Sequence, residues 1–313
     1  MKRSHFLRSV ALVCSTLMVL PGKAANILVT THGNFKKIYL NEYLRNRFYY
    51  FLKNVFNLFP EAKLHELISK ASIEKSNDEE IYLEIQANLK SITPAFSTIT
   101  YQLPALLKQK DEMAKQAVEL LTANTSYEGY LEIGSSGRYL DRLEESVTIK
   151  GKRYYADGKK PGYGVTEMID RGQICVGAEY VPFTDYRTKY SDFIEDESLE
   201  LVTNYIGFHH CPIELRTSFI SSIRQTMRPG GKLILRDHDC HSENQATVVA
   251  LAHDVFNMGT KESWEYNKQE IRNFYSLNFI IHFIKKIGFR FEQRTLFQKG
   301  DPTKNALMLF TKI

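Results

Sequence analysis

The chain has little of what marks the more specialised protein classes. Its 313 residues include only four cysteines, Cys14, Cys175, Cys211 and Cys240, with no Cys-x-x-Cys pair. That excludes a disulfide-stapled scaffold and a thiolate zinc finger. If Cys14 leaves with a leader, an odd number remains, which suits a reducing compartment better than an oxidising one. There is no basic tract: 41 Lys and Arg face 36 Asp and Glu, and a surplus of this size spread along the chain builds no nucleic-acid surface. No apolar run reaches the roughly 20 residues that a membrane-spanning helix needs. Internal repeats and low-complexity segments are also missing. What remains, 43% hydrophobic and 25% charged residues, is the composition of an ordinary soluble protein with room for two modest domains.

Residues 1–24 read as a secretory leader. Lys2, Arg3 and Arg8 precede an apolar run from Val10 to Leu20, and Pro21-Gly22-Lys23-Ala24 supplies small residues for cleavage. This predicts export or membrane tethering, with a cytoplasmic protein carrying an amphipathic N-terminal helix as the alternative. Residues 25–126 form a helical region. Phe35, Ile38, Tyr39, Leu44, Phe48, Phe51, Leu52, Val55, Phe56 and Phe59 recur at near-helical spacing up to Pro60, and further helices are expected over 79–89 and 106–121. The aromatic run Phe48-Tyr49-Tyr50-Phe51 reads as packing against the domain that follows.

That domain, residues 127–313, is organised around Tyr130-Leu131-Glu132-Ile133-Gly134-Ser135-Ser136-Gly137. A short apolar run, an acid and then glycines read as a buried strand, a tight turn and a helix start, a place where backbone can approach a ligand closely. A carboxylate there repels a pyrophosphate and attracts an ammonium, which points away from a nicotinamide dinucleotide and toward S-adenosylmethionine. The stretch resembles the first motif of the class I S-adenosylmethionine-dependent methyltransferases, with fewer glycines and a shorter loop. Two later blocks extend the resemblance: Leu199-Glu200-Leu201-Val202-Thr203-Asn204-Tyr205-Ile206, similar to the family's fourth strand, and Met227-Arg228-Pro229-Gly230-Gly231-Lys232-Leu233-Ile234-Leu235, similar to its entry into the fifth.

From Gly137 onward, strands alternate with helical patterns. Strands are expected over 147–157, 173–177, 199–206 and 232–237, with helices over 138–145, 164–171, 214–227, 245–256 and 268–287. An antiparallel pair over 289–293 and 306–311 closes the domain. The resemblance implies a doubly wound, mostly parallel, seven-stranded Rossmann-like α/β sheet beside the helical N-terminal region. It implies cofactor contacts from Glu132, Gly134, Ser135 and Gly137 to the methionyl part, from Asp157 to the ribose hydroxyls, from Glu179 toward the adenine, and from Asn204 and Tyr205 beside the sulfonium. A second constellation follows the fourth and fifth strands: His209, His210 and Cys211, then Asp237, His238, Asp239, Cys240 and His241. Three readings stand: packing within the loops, acid–base work on a substrate, and zinc or iron binding. The adopted reading takes His238, Asp237 and His210 as catalytic and assigns no metal. Trp264 and Tyr266 lie where an insertion would cover a substrate, or on a plain surface helix. The expected function is methyl transfer from S-adenosylmethionine to a small-molecule acceptor, a protein acceptor remaining open and nucleic acid disfavoured. The rival readings are a metal-dependent enzyme built on the His/Cys/Asp rim, and an exported binding protein that keeps the sheet without catalysis.

Overall fold

The computed structural model describes residues 33–121 and 125–313. The expected leader lies outside the described residues. Among them, no helix is long and apolar enough to cross a membrane.

The N-terminal region folds as α1 (Asn34–Tyr39), α2 (Glu42–Phe51), α3 (Glu61–Glu74), α4 (Asp78–Ile92) and α5 (Leu103–Leu121). The single run expected from Phe35 to Phe59 is interrupted. Leu40 and Asn41 break it, and the Asn41 side chain accepts from Leu44 N to start α2 afresh. Asp78, at the start of α4, accepts from Gly33 N at 2.8 Å and Asn34 N at 2.6 Å, satisfying the free donors of α1. Helix α3 falls within the expected helical region without having been singled out in it, and Leu64, Ile68 and Ala71 bury one stripe of it.

The domain that follows contains β1 (Ser126–Ile133), α6 (Leu140–Leu143), β2 (Thr148–Asp157), α7 (Val165–Arg171), β3 (Glu179–Pro182), β4 (Leu199–Asn204), α8 (Arg216–Thr226), β5 (Met227–His238), α9 (Glu243–Gly259), α10 (Trp264–Gln269), α11 (Leu277–Lys286), β6 (Phe289–Phe297) and β7 (Asn305–Lys312). The seven strands form one sheet in the order β3-β2-β1-β4-β5-β7-β6. The first five are parallel, and β7 runs antiparallel between β5 and β6. The sheet is therefore mixed: mostly parallel, with the closing antiparallel pair the sequence led us to expect. Alternation along each buried strand sends Leu131, Ile133, Val202, Leu233 and Leu235 to one face, against Phe219 and Ile223 of α8 and Ile280 and Ile284 of α11. Tyr130, Leu201, Ile234, Leu307 and Leu309 face the other side, against Met113, Ala117 and Leu120 of α5 and Leu140 and Leu143 of α6.

Two expectations are corrected. The third strand forms at Glu179–Pro182, not over 173–177. In the earlier segment Ile174 is exposed, while Gln173 donates to Gly137 O at 2.8 Å and Val176 packs beside Gly137, so that segment is a loop lying on the turn after β1. The helix expected over 268–287 is split, because residues 270–276 run extended between α10 and α11.

Helix α9 has a place of its own. Its Val248, Leu251, Val255 and Met258 are buried against Phe35, Phe48, Phe51, Ile81 and Tyr82 of the N-terminal helices. Phe48 and Phe51 are thus core, as the sequence reading had them, whereas Tyr50 is exposed. Trp264 joins the same cluster, its ring 5.3 Å from that of Tyr82. From α2, Arg47 donates to Pro302 O at 2.8 Å and Asn54 to Gly300 O at 2.9 Å. Both acceptors lie in the β6–β7 loop, which stands at the carboxyl end of β5, where His238 pairs with Asn305. The N-terminal helices and α9 therefore cap the carboxyl edge of the sheet on its β5 side.

Candidate functional site at the carboxyl edge

Open α/β sheets bind ligands beyond the carboxyl ends of their strands, where strand order reverses. Here that point lies between β1 and β4. Glu132, the penultimate residue of β1, pairs across to Tyr155 and Thr203. Its carboxylate is 1% exposed and accepts from Tyr130 Oη at 3.1 Å, from Tyr139 N at 3.2 Å and, closely, from Ser135 Oγ. Burial pushes this carboxyl up to about 7, against the pull of those donors and of the nearby Arg138 guanidinium.

Gly134 has φ +79°, and a Cβ there would stand 2.7 Å from Ile206 N, so only glycine lets the β1 turn lie against the end of β4. Asn204 ends β4 fully buried. Its Nδ2 donates to Ile206 O at 3.2 Å, while its Oδ1 has no partner. Arg138 Nε is likewise buried without a partner. Tyr205 is buried with its ring 4.6 Å from that of Tyr139. Asp157 ends β2, half-buried, and accepts from Gly158 N at 2.8 Å.

Glu132, Gly134, Ser135, Gly137, Asn204 and Tyr205 are thus gathered around the tips of β1 and β4, with Asp157 at the tip of the adjoining β2. Glu179 is not with them. It opens β3 opposite Tyr154, exposed, and the carboxyl end of that strand is formed by Pro182 and Phe183. The displaced strand is the reason: the acid belongs to the near end of β3, not to the loop beyond it.

The second constellation is compact. Asp237, buried near the end of β5, accepts from His209 N at 3.0 Å, His209 Nδ1 at 2.6 Å and His238 N at 2.6 Å. His210 Nδ1 donates to Ile271 O at 2.8 Å, and His238 Nδ1 to Thr303 O at 3.1 Å. Burial and neighbouring cations hold His209 and His238 well below the usual histidine range, and His210 is lowered to about 3, so all three are neutral at pH 7. Neutral imidazoles of this kind keep a lone pair for a hydrogen bond or a metal. Burial raises Cys211 and Cys240, so neither is a ready thiolate. His241 pairs with Asp239 at 2.7 Å on the exposed side.

Two features escaped the sequence reading. Arg138 stands directly after the glycine turn, where a cation beside an acid is the available signal. His253 comes from α9, its ring 5.0 Å from that of His209 and 4.9 Å from that of His210. The signal for it was a His-Asp pair, His253 and Asp254, inside the otherwise apolar stretch from Val248 to Phe256.

No protein-family model matches the chain, and no curated protein matches it. Similar solved structures match it at low identity and with TM-scores below 0.5. The Haloferax volcanii complex of the Trm112 methyltransferase activator includes a chain with TM-score 0.47 and 12% identity, the match covering 67% of this chain and 92% of that one. The Burkholderia thailandensis 1,6-didemethyltoxoflavin-N1-methyltransferase, solved with 1,6-didemethyltoxoflavin and S-adenosylhomocysteine, has TM-score 0.42 and 9% identity over 66% and 78%. An S-adenosylmethionine-dependent methyltransferase from Aquifex aeolicus has TM-score 0.42 and 12% identity over 73% and 98%. On its own strand order and its antiparallel seventh strand, this chain has a methyltransferase-like fold.

Proposed function

We propose that the chain is an S-adenosylmethionine-dependent methyltransferase acting on a small-molecule acceptor. The observation that carries this reading is the buried Glu132 carboxylate at the end of β1, with two buried polar atoms without partners, Asn204 Oδ1 and Arg138 Nε, at the same strand edge. An acceptor atom, a guanidinium and a carboxylate at one strand edge suit a zwitterionic amino-acid tail. The donor set therefore fits the methionyl end of the cofactor: Glu132 and Asn204 would hold its ammonium and Arg138 its carboxylate. Asp157 at the tip of β2 would accept from ribose hydroxyls. When bound, the cofactor supplies an electrophilic methyl group.

The chain's own residues then position and desolvate the acceptor, which is where most of the rate enhancement of such a transfer originates. His210 and His238, neutral at the same edge, can orient an acceptor, and Asp237 fixes the rim by gripping His209 and the His238 amide. The cap of α9 and the N-terminal helices over this edge favours an acceptor small enough to fit beneath it, and the chain's diffuse charge argues against nucleic acid.

Glu132→Gln removes the charge and keeps the shape. It should weaken S-adenosylmethionine binding about 10- to 100-fold, the value of one charge-assisted hydrogen bond. Equal affinity for the two proteins in equilibrium dialysis overturns the placement of the cofactor.

A further inference from the structure

We propose that His209, His210 and His253 form a metal site, binding a divalent ion of the zinc class through three imidazole nitrogens and leaving one position open. Their ligand atoms all lie within 4.8 Å of one another. Zinc–nitrogen bonds of about 2.1 Å hold tetrahedral ligands about 3.4 Å apart, so small side-chain rotations close the trio on an ion.

The surroundings have the form that metal-binding histidines require, in which the second ring nitrogen is held by an acceptor. Asp237 Oδ1 takes Nδ1 of His209 at 2.6 Å, and Ile271 O takes Nδ1 of His210 at 2.8 Å. Glu270 Oε2 stands 3.5 Å from Nδ1 of His253. A carbonyl only accepts, so the proton of His210 is on Nδ1 and its lone pair on Nε2. The same partition leaves Nε2 of His209 as its ligand atom, and that nitrogen is buried with no partner. An orphaned lone pair of this kind is costly unless something occupies the space before it.

Charge points the same way. Asp237 and Glu270 place two carboxylates behind the imidazoles, matching the charge of a divalent ion. The adjacent cation, Arg272, is also answered by Asp254 at 2.6 Å. His238 packs against the trio, its ring 5.3 Å from that of His209, but it lies outside the three whose ligand atoms converge.

His210 and His253 are only partly buried, so the open position can receive a ligand at the carboxyl edge. On the methyl-transfer reading, that ligand is the acceptor's oxygen, nitrogen or sulfur, brought next to the end of β4. Metal binding itself does not depend on that reading.

The test uses the full chain, stripped with a chelator and titrated with Zn²⁺ against a chromophoric competitor, without S-adenosylmethionine. About one equivalent should bind tightly. The zinc-loaded protein should show an X-ray absorption signature of three imidazole ligands. His210→Gln and His253→Gln, each checked for native circular dichroism, should lose about 100-fold in affinity, while His282→Gln, on the exposed face of α11, should match wild type. A wild-type chain that takes up no ion, an absorption spectrum without imidazole ligands, or undiminished binding in both folded variants overturns the site.

Discussion

At the scale of single residues, Glu132 is the most informative group in the chain. Its carboxyl is raised from 4.5 to about 7 because it is buried, so between those values the folded protein holds a proton that the unfolded chain has released. Stability from this group is complete below pH 4.5 and is lost as pH rises through 7, a change on the order of 3 kcal/mol. Urea unfolding of wild type and Glu132→Gln should therefore show the wild-type protein losing ground to the variant between pH 5 and pH 8. A constant difference removes the buried carboxyl from the account. Gly134→Ala meets both a positive φ and the backbone of Ile206, and should lower stability by about 3 kcal/mol, read as a fall in Tm of about 5 °C or more. Glu132, Gly134 and Asn204 were legible in the sequence because a tight turn at a strand end leaves a local signature. Arg138 and His253 were not. The first differs from any surface arginine only through its buried Nε, and the second meets its partners by a crossing of α9 over the sheet edge that no spacing records.

At the scale of elements, the span between α9 and α11 is held by buried polar bonds as well as by the packing of Trp264, Phe274 and Tyr275. Asp254 accepts from Asn34 of α1 at 2.9 Å, Asn267 of α10 at 2.8 Å and Arg272 at 2.6 Å. Arg272 also donates to Glu270 at 2.8 Å and to Asn267 at 2.7 Å. Because the two carboxylates would be left buried without their cation, Arg272→Met should cost about 3 to 5 kcal/mol, measurable by chemical denaturation. A loss under about 1 kcal/mol, the worth of an exposed pair, contradicts this network. This stretch also shows why the helix expected over 268–287 was read as continuous: periodicity reports apolar faces, and the break is enforced by polar contacts distant in sequence. The third strand was misplaced for a related reason. Ile174, Cys175 and Val176 have strand composition, but only Glu179–Pro182 finds a partner in β2. By contrast the centres of β1, β4, β5 and β7 are buried on both faces, and their short apolar runs beside turn signals made them plain.

At the scale of the whole molecule, the sequence separates a helical region from an α/β domain, whereas the core does not respect that division. Helix α9 belongs to the domain by chain order and to the N-terminal layer by packing. A fragment of residues 127–313 should therefore expose Val248, Leu251, Val255 and Met258 and bind a hydrophobic dye or aggregate. A monomeric, cooperatively folding fragment contradicts that packing. The same layer gives the carboxyl edge its cover, placing the histidines of the rim under a helical cap. Central to the account is that the Glu132 carboxyl, half ionised near neutral pH, receives the ammonium of S-adenosylmethionine, an interaction that favours the ionised form. Calorimetric titration of the full chain with that compound at pH 7, in buffers of different ionisation enthalpy, measures this directly. The account predicts saturable binding with release of about half a proton per molecule bound, and absence of binding, or heat independent of the buffer, contradicts it.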